Sequence, residues 1–115
     1  MNEILALPAI RQAELIRSRG ISSVELVGEH LARIEEVNPR INAAIEIFGE
    51  QALRDAEEAD RRIAAGKGRA LEGVPFSVKD SIEIAGARCT AGRGELVRVL
   101  PLAWGAAGLE AVVLR

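Results

Sequence analysis

The strongest local signal in this 115-residue chain is a helix start at Ser22. Ser22 and Glu25 have the spacing of a capping box, in which each side chain binds the backbone amide of the other residue. Apolar residues then follow at helical spacing, at Val24, Val27, Leu31 and Ile34. The pattern predicts an amphipathic helix that ends near Asn38, because Pro39 disfavours helical geometry in the residue before it.

Two more helices and a strand are predicted around this element. Pro8 at a first helical position and Gly20 as a stop outline a short helix before it. Alternating residues over 41–48 predict a strand, with Ala43, Ile45 and Ile47 on one face and Asn42 and Glu46 on the other. A third helix follows, ended by Gly66. Its apolar stripe is Ala52, Ala56, Ala59 and Ile63, and its expected exposed ion pairs are Glu57 with Arg61 and Glu58 with Arg62.

The segment from Glu72 to Gly86 places a lysine inside a short strand pattern. Gly73-Val74-Pro75 turns the chain into a strand over 76–80, and a second short strand is predicted over 82–84. Lys79 shares a strand face with Ser77, while Phe76 and Val78 take the opposite face. Lys79 is either an exposed lysine that protects a sheet edge or a buried one, and burial lowers a lysine's pKa and makes it a general base.

The order helix, helix, strand, helix, strand, strand predicts an α/β fold with helices packed on a mixed β-sheet. The net charge of −2, without blocks of one sign, argues against a nucleic-acid-binding surface. The single cysteine, Cys89, cannot form an internal disulfide, and the first residues lack the pattern expected of a secretory leader. Charges interrupt every apolar run, so no membrane span is expected and a cytoplasmic protein is predicted.

Several separated blocks together resemble the amidase signature family. They are the segment ISSVELVGEHLARIEEVNPRINAAI, the block Gly73-Val74-Pro75-Phe76-Ser77-Val78-Lys79-Asp80, and the later pieces Ala85-Gly86 and Cys89-Thr90-Ala91-Gly92. The resemblance covers about residues 5–92 in the family's order and spacing. It implies the N-terminal part of the amidase-signature fold, which is incomplete in this chain.

The resemblance also implies a serine hydrolase of carbon–nitrogen amide bonds. In that family an unprotonated lysine, which matches Lys79, accepts a proton through a bridging cis-serine from the nucleophilic serine, and the acyl-enzyme is then hydrolysed. The expected substrate is a small amide, and neither a cofactor nor a metal is implied. The chemistry requires a lysine that is held on a rigid strand and shielded from water.

The family's two serines lie downstream of the lysine block, in a glycine- and serine-rich segment that has no counterpart in these residues. We therefore predict that the chain alone is inactive, with Lys79 as its one catalytic residue. Ser77 is not expected to replace the nucleophile, because same-face neighbours on a strand lie roughly 6–7 Å apart. Residues 93–115 do not resemble the family. We therefore divide the chain into an amidase segment over 1–92 and a divergent tail over 93–115. A frame shift in the coding DNA would explain the tail.

Two other functions are kept as alternatives. One is the amidase subunit of a tRNA-dependent amidotransferase, and the other is a non-catalytic helical interaction module that can self-associate through exposed sheet edges. The remaining candidate residues are expected to be structural. His30 lacks a second ligand at metal-binding spacing, Cys89 has no basic neighbour, and Asp80 either orients Lys79 or caps the turn.

Overall fold

The computed structural model describes residues 3–79, 82, 88–89, 98–99 and 111–114. A 3-10 helix, Glu3–Ala6, precedes helices α1 (Ala9–Arg17), α2 (Ser23–Ile41) and α3 (Gly49–Ala64). The strands are β1 (Ala44–Ile47), β2 (Phe76–Lys79), β3 (Arg88–Cys89), β4 (Arg98–Val99) and β5 (Ala111–Leu114). The predicted order of elements is therefore confirmed from α1 to β2.

Three of these strands form a sheet in which β5 is the middle strand. The order is β1-β5-β2, with β5 antiparallel to β1 and parallel to β2. In the parallel pair Lys79 is opposite Leu114. Strands β3 and β4 form a separate antiparallel pair. Within the described sheet, β2 is therefore an edge strand that pairs with β5 on one side.

The core lies where the helices meet the Gly73-Val74-Pro75 turn. One apolar cluster contains Ala13, Ile16, Leu26 and Val74, so it joins α1, α2 and that turn. A second cluster contains Val27, Ala52 and Ala56, where α2 packs on α3. The small alanines of α3 allow the two helices to approach closely, as the predicted stripe indicated. The turn before β2 is therefore part of the helical core.

Helix α2 continues three residues beyond its predicted end at Asn38. Pro39 lies inside the helix, which ends at Ile41 with Asn42 in a left-handed conformation at φ 47°. In the last turn a proline removes one backbone hydrogen bond, and the helix tolerates this loss. The Asn38 side chain both donates to the Ala44 carbonyl and accepts from the Ala44 amide, each at 2.8 Å, which joins the helix end to β1.

The first strand is shorter and less regular than predicted. It covers Ala44–Ile47 and not 41–48, its buried residue is Ala44, and Ile47 is exposed. The register against β5 shifts between Ala44 and Glu46, where a bulge or similar irregularity interrupts the ladder. Such a break changes which face each later side chain takes, so simple alternation does not hold here.

Helix α3 ends as predicted, but its charged side chains pair differently. Ala52, Ala56 and Ala59 are buried, and Gly66 follows the helix end with φ 73°. The expected pairs four residues apart are not the ones observed, because Arg61 pairs with Glu58 at 2.8 Å and Arg62 faces Glu72 at 3.7 Å. Arg62 thus faces the buried carboxylate of Glu72 instead of pairing with Glu58.

The second predicted short strand, over 82–84, lies mostly outside the described residues. Ile82 itself is in a bend, and its amide donates to the Lys79 carbonyl at 2.9 Å. Asp80, Glu83 and Ile84 are outside the described part of the chain. Among the residues that are described, no helix is both long and apolar enough to cross a membrane.

Candidate functional site

Lys79 is the last residue of β2, and its side chain is exposed. Ser77 is exposed on the same face, Phe76 is half-buried and Val78 is buried, so the predicted assignment of faces is confirmed. The prediction that Lys79 is shielded from water is not met within the described chain. The described residues cover β2 on the Val78 face only, which leaves the lysine face open.

The turn that leads into β2 is held by a serine from the start of α2. The Ser23 side chain is fully buried, and its hydroxyl donates to the Gly73 carbonyl at 2.7 Å across 50 residues of sequence. Gly73 has φ 82°, and a Cβ there would lie 2.7 Å from Ser23 Oγ. A glycine is therefore required for both the backbone conformation and the close approach.

Side chains satisfy the first amides of α2. Ser22 Oγ accepts from the Glu25 amide at 3.0 Å and Glu25 accepts from the Ser22 amide at 2.9 Å, so the predicted capping box is confirmed. Asp60, from α3, accepts from the Ser23 amide at 2.7 Å and from the Val24 amide at 3.2 Å. A carboxylate at a helix start is favoured by the helix dipole as well as by these bonds. Asp60 thereby joins α3 to the same helix end that holds Gly73.

A buried carboxylate lies one residue before this turn. The Glu72 side chain is only 1% exposed and accepts hydrogen bonds from the Arg69 backbone and guanidinium, at 3.2 and 2.9 Å. Burial tends to raise the pKa of Glu72, but the hydrogen bonds from Arg69 and the charges of Arg69 and Arg62 outweigh it, so its pKa is lowered. Glu72 is therefore a carboxylate that ties the loop before β2 to α3.

An apolar cavity of about 350 Å³ lies beside the start of β2. It is lined by the second half of α2, the start of β1 and the Pro75–Ser77 segment: His30, Ile34, Val37, Asn38, Ile41, Ala43, Ala44, Pro75, Phe76 and Ser77. His30 Nε2 is buried without a hydrogen-bond partner among the described residues, and burial lowers the pKa of this histidine. Burial thus disfavours the charged form of an imidazole that lines an apolar space.

The other sequence candidates are only partly located. Cys89 lies in β3, where the backbone alone is described, and Asp80 is outside the described residues. Across the described ranges no cluster of three or more acidic, histidine or cysteine side chains could hold a metal ion. The sequence analysis missed Ser23, Asp60 and Glu72. In the sequence, Ser23 is a second serine beside a helix cap, and the two acidic residues resemble ordinary solvated side chains near a helix end.

Comparison with known proteins places the chain among amidases. The family model described as Amidase matches residues 25–101. A glutamyl-tRNA(Gln) amidotransferase subunit from Geotalea daltonii is 38% identical over 99 residues, which are 86% of this chain and 20% of that protein. The chain thus spans about a fifth of the length of this curated relative.

Solved structures agree with this assignment. The peptide amidase of Stenotrophomonas maltophilia superimposes with a TM-score of 0.75 at 30% identity, covering 92% of this chain and 23% of that one. A bacterial aryl acylamidase of the amidase signature family superimposes with a TM-score of 0.75 at 26% identity, covering 94% and 24%. These neighbours confirm the α/β class predicted from the sequence.

Proposed function

Since this chain belongs to the amidase family, we propose that it forms the N-terminal part of a hydrolase of carbon–nitrogen amide bonds. In this proposal Lys79 is the general base of a Ser, cis-Ser, Lys relay. The observation that carries it is the position of Lys79 at the end of a strand whose entry turn is anchored in the helical core by Ser23 and Val74. Such anchoring gives a proton acceptor a fixed place.

The proposed chemistry moves one proton through two hydroxyls. The nucleophilic serine loses its proton to the bridging serine, which passes its own to unprotonated Lys79, while the serine oxygen forms a bond to the amide carbon. Collapse of the tetrahedral species breaks the carbon–nitrogen bond, and the amine leaves with a proton. Water then releases the acid from the acyl-enzyme. Both serines would come from chain beyond these 115 residues.

The exposure of Lys79 supports the need for that further chain. The proposed relay needs a lysine that is shielded from water, because burial is what favours the uncharged form of such a side chain. We propose that the downstream part of the amidase fold extends the mixed sheet and covers the Ser77 and Lys79 face. The 115-residue chain by itself is then expected to hydrolyse no amide.

A hybrid enzyme tests the role of Lys79. Residues 1–92 replace the aligned segment of the Stenotrophomonas maltophilia peptide amidase, and hydrolysis of a peptide amide is measured. Lys79→Ala is expected to lower kcat/KM by about 10²- to 10⁴-fold, the usual contribution of a general base. Lys67→Ala is the matched control, because Lys67 is the only other lysine in the chain and lies in an exposed loop. Equal activity of the two variants would refute the proposed base.

A second candidate is the amidase subunit of a tRNA-dependent amidotransferase, which the name of the Geotalea daltonii relative favours. The same residues would then serve release of ammonia from glutamine within a larger assembly. The two candidate functions differ in their substrate, which is a small amide for the first and glutamine for the second. A hybrid built on the Geotalea daltonii protein should release ammonia from glutamine in a Lys79-dependent manner if the segment serves that reaction, and release from small amides alone supports the first candidate.

For the isolated chain we propose self-association through sheet edges, because β1 and β2 are the outer strands of the described sheet. Size-exclusion chromatography with light scattering tests this. A stable monomer with cooperative unfolding would instead support an independent, non-catalytic module. We also propose that residues 93–115 are a divergent, frame-shifted tail, although the family match extends to residue 101. An intact glycine- and serine-rich motif in another reading frame of the coding DNA would support this.

A further inference from the structure

Three hydrogen bonds that join residues 36 to 50 apart in sequence meet at the first turn of α2. Two of them bring Asp60 of α3 to the amides of Ser23 and Val24. The third runs from Ser23 Oγ to the Gly73 carbonyl, three residues before β2 begins. The start of α2 is thus the point at which two distant parts of the chain are joined.

The two adjacent serines at this helix start have different partners. Ser22 caps the helix through the Glu25 amide, and its contact is local. Ser22 and Asp60 accept the hydrogen bonds of the first helix amides, so the Ser23 hydroxyl is free to donate to the Gly73 carbonyl. Because Ser23 is fully buried, water cannot replace this donor once it is removed. The bond therefore acts on the turn before β2 and not on the helix.

From this division we propose that Ser23 is a positioning residue for Lys79. Its hydroxyl fixes the Gly73 carbonyl, Gly73 fixes the turn, and the turn sets the direction in which β2 presents Lys79 six residues later. The inference rests on the proposed function for its catalytic meaning. The tether itself is independent of catalysis and can be measured in the 115-residue chain.

Amide hydrogen exchange of the lysine-labelled chain provides that measurement. Only Lys67 and Lys79 carry the label, and the Lys67 amide, bonded to the Arg62 carbonyl at 2.8 Å, serves as an internal reference. Ser23→Ala is expected to raise exchange at Lys79 by about tenfold relative to Lys67, as loss of a buried hydrogen-bond donor implies. Ser22→Ala weakens the same helix end without touching Gly73, and should change both amides equally.

A merely structural role for Ser23 predicts another result. If Ser23→Ala and Ser22→Ala change the Lys79 to Lys67 ratio equally, the tether is refuted. Ser23→Cys is the second variant, because it retains the shape of the side chain with a somewhat larger atom and a weaker donor. It should give a smaller change in the same direction. An unchanged ratio in folded Ser23→Cys together with an unfolded Ser23→Ala would also overturn the proposal.

The hybrid enzyme then connects the tether to catalysis. Ser23→Ala should lower kcat by about tenfold with KM unchanged, while Ser22→Ala changes kcat by less than about twofold. If Lys79→Ala is inactive but Ser23→Ala retains full kcat, Ser23 does not position the base and the proposed function stands. If Lys79→Ala is fully active, the proposed function fails, and Ser23 then has no role in catalysis. The exchange experiment can still show whether Ser23 holds the turn before β2.

Discussion

The two ends of α2 are built differently, although they belong to one continuous helix. All three buried residues of the helix, Ser23, Leu26 and Val27, lie in its first five positions. Its second half borders the 350 Å³ cavity and ends at Ile41, which is 64% exposed. The first end is closed by core packing and side-chain hydrogen bonds, whereas the second presents apolar surface.

This difference shows which end of the helix stabilises the fold. The start of α2 contacts α1, α3 and the turn before β2. These contacts support the strand that carries Lys79. The second half of α2 borders the cavity, and the Asn38 side chain joins its end to β1. Apolar side chains that remain in contact with water contribute little to folding, because the hydrophobic gain requires their burial. Substitutions at the two ends should therefore differ in cost.

The largest effect is expected at Leu26. This side chain is 0% exposed, and Leu26→Ala should cost about 2–5 kcal/mol, since it removes buried methyl groups and leaves a cavity. Ile41→Ala at the other helix end is the control and should change stability by less than about 0.5 kcal/mol. Urea unfolding measures both. Similar losses would show that the two ends are equally packed.

Glu72→Gln is expected to cost about 1–3 kcal/mol, because it removes the charge that pairs with Arg69 and Arg62 at the helical junction. The lowered pKa also predicts a pH effect. The folded-state pKa lies below the ordinary value of 4.5, so Glu72 stabilises the fold above that pH and this contribution is lost as the pH falls below it.

Unfolding measured between about pH 3 and pH 5 tests this pH dependence. The variant Glu72→Gln should lose stability less steeply on acidification than the parent chain. Glu57→Gln, at an exposed position of α3, should retain the parent's slope. A slope that Glu72→Gln leaves unchanged would assign the acid sensitivity to other carboxylates.

Loss of the helix cap is expected to have a smaller effect. Ser22→Ala removes the acceptor for the Glu25 amide and should cost about 1 kcal/mol. Ser22→Asp retains an acceptor at the same place and should remain close to the parent. Thermal unfolding followed by circular dichroism compares the two variants. Equal losses would mean that the serine contributes something other than its cap.

The smallest effect is expected at the cavity end of α2. Burial lowers the pKa of His30 from 6.5, so the unfolded chain takes up a proton there more readily than the folded chain. Stability should therefore fall slightly as the pH decreases through about 6.5. His30→Gln should remove this dependence, and His30 is the chain's single histidine. A slope that persists in the variant would contradict the assignment.

Local signals predicted much of this molecule. The capping box at Ser22 and Glu25, the buried alanines of α3, the helix end at Gly66 and the two faces of β2 depend on residues within a turn or two of each other. Predictions failed where a non-local event intervened. The register shift against β5 interrupts the expected alternation of β1, and Arg62 faces Glu72 and not its expected partner Glu58.

The candidate site shows the same division between features that depend on nearby residues and features that depend on distant ones. Lys79 was proposed as the base from its sequence block and its strand face, and several separated blocks together indicated the amidase family. The turn at Gly73 was predicted, but Ser23 and Asp60, which link it to the helices, were not. Ser23, Asp60 and Gly73 are far apart in sequence, and no spacing rule relates a buried serine to a carbonyl 50 residues away.

The sequence by itself determined the order of elements from α1 to β2 and the start of α2, because capping, periodicity and glycine stops act over a few residues. It also determined the family, through several separated blocks of residues that include the one with Lys79. Only the tertiary structure decided that Ser23 holds the turn before β2, that Glu72 is buried, and that Lys79 is exposed in this chain. Burial and long-range hydrogen bonds depend on which elements pack together, and that packing is a property of the whole fold.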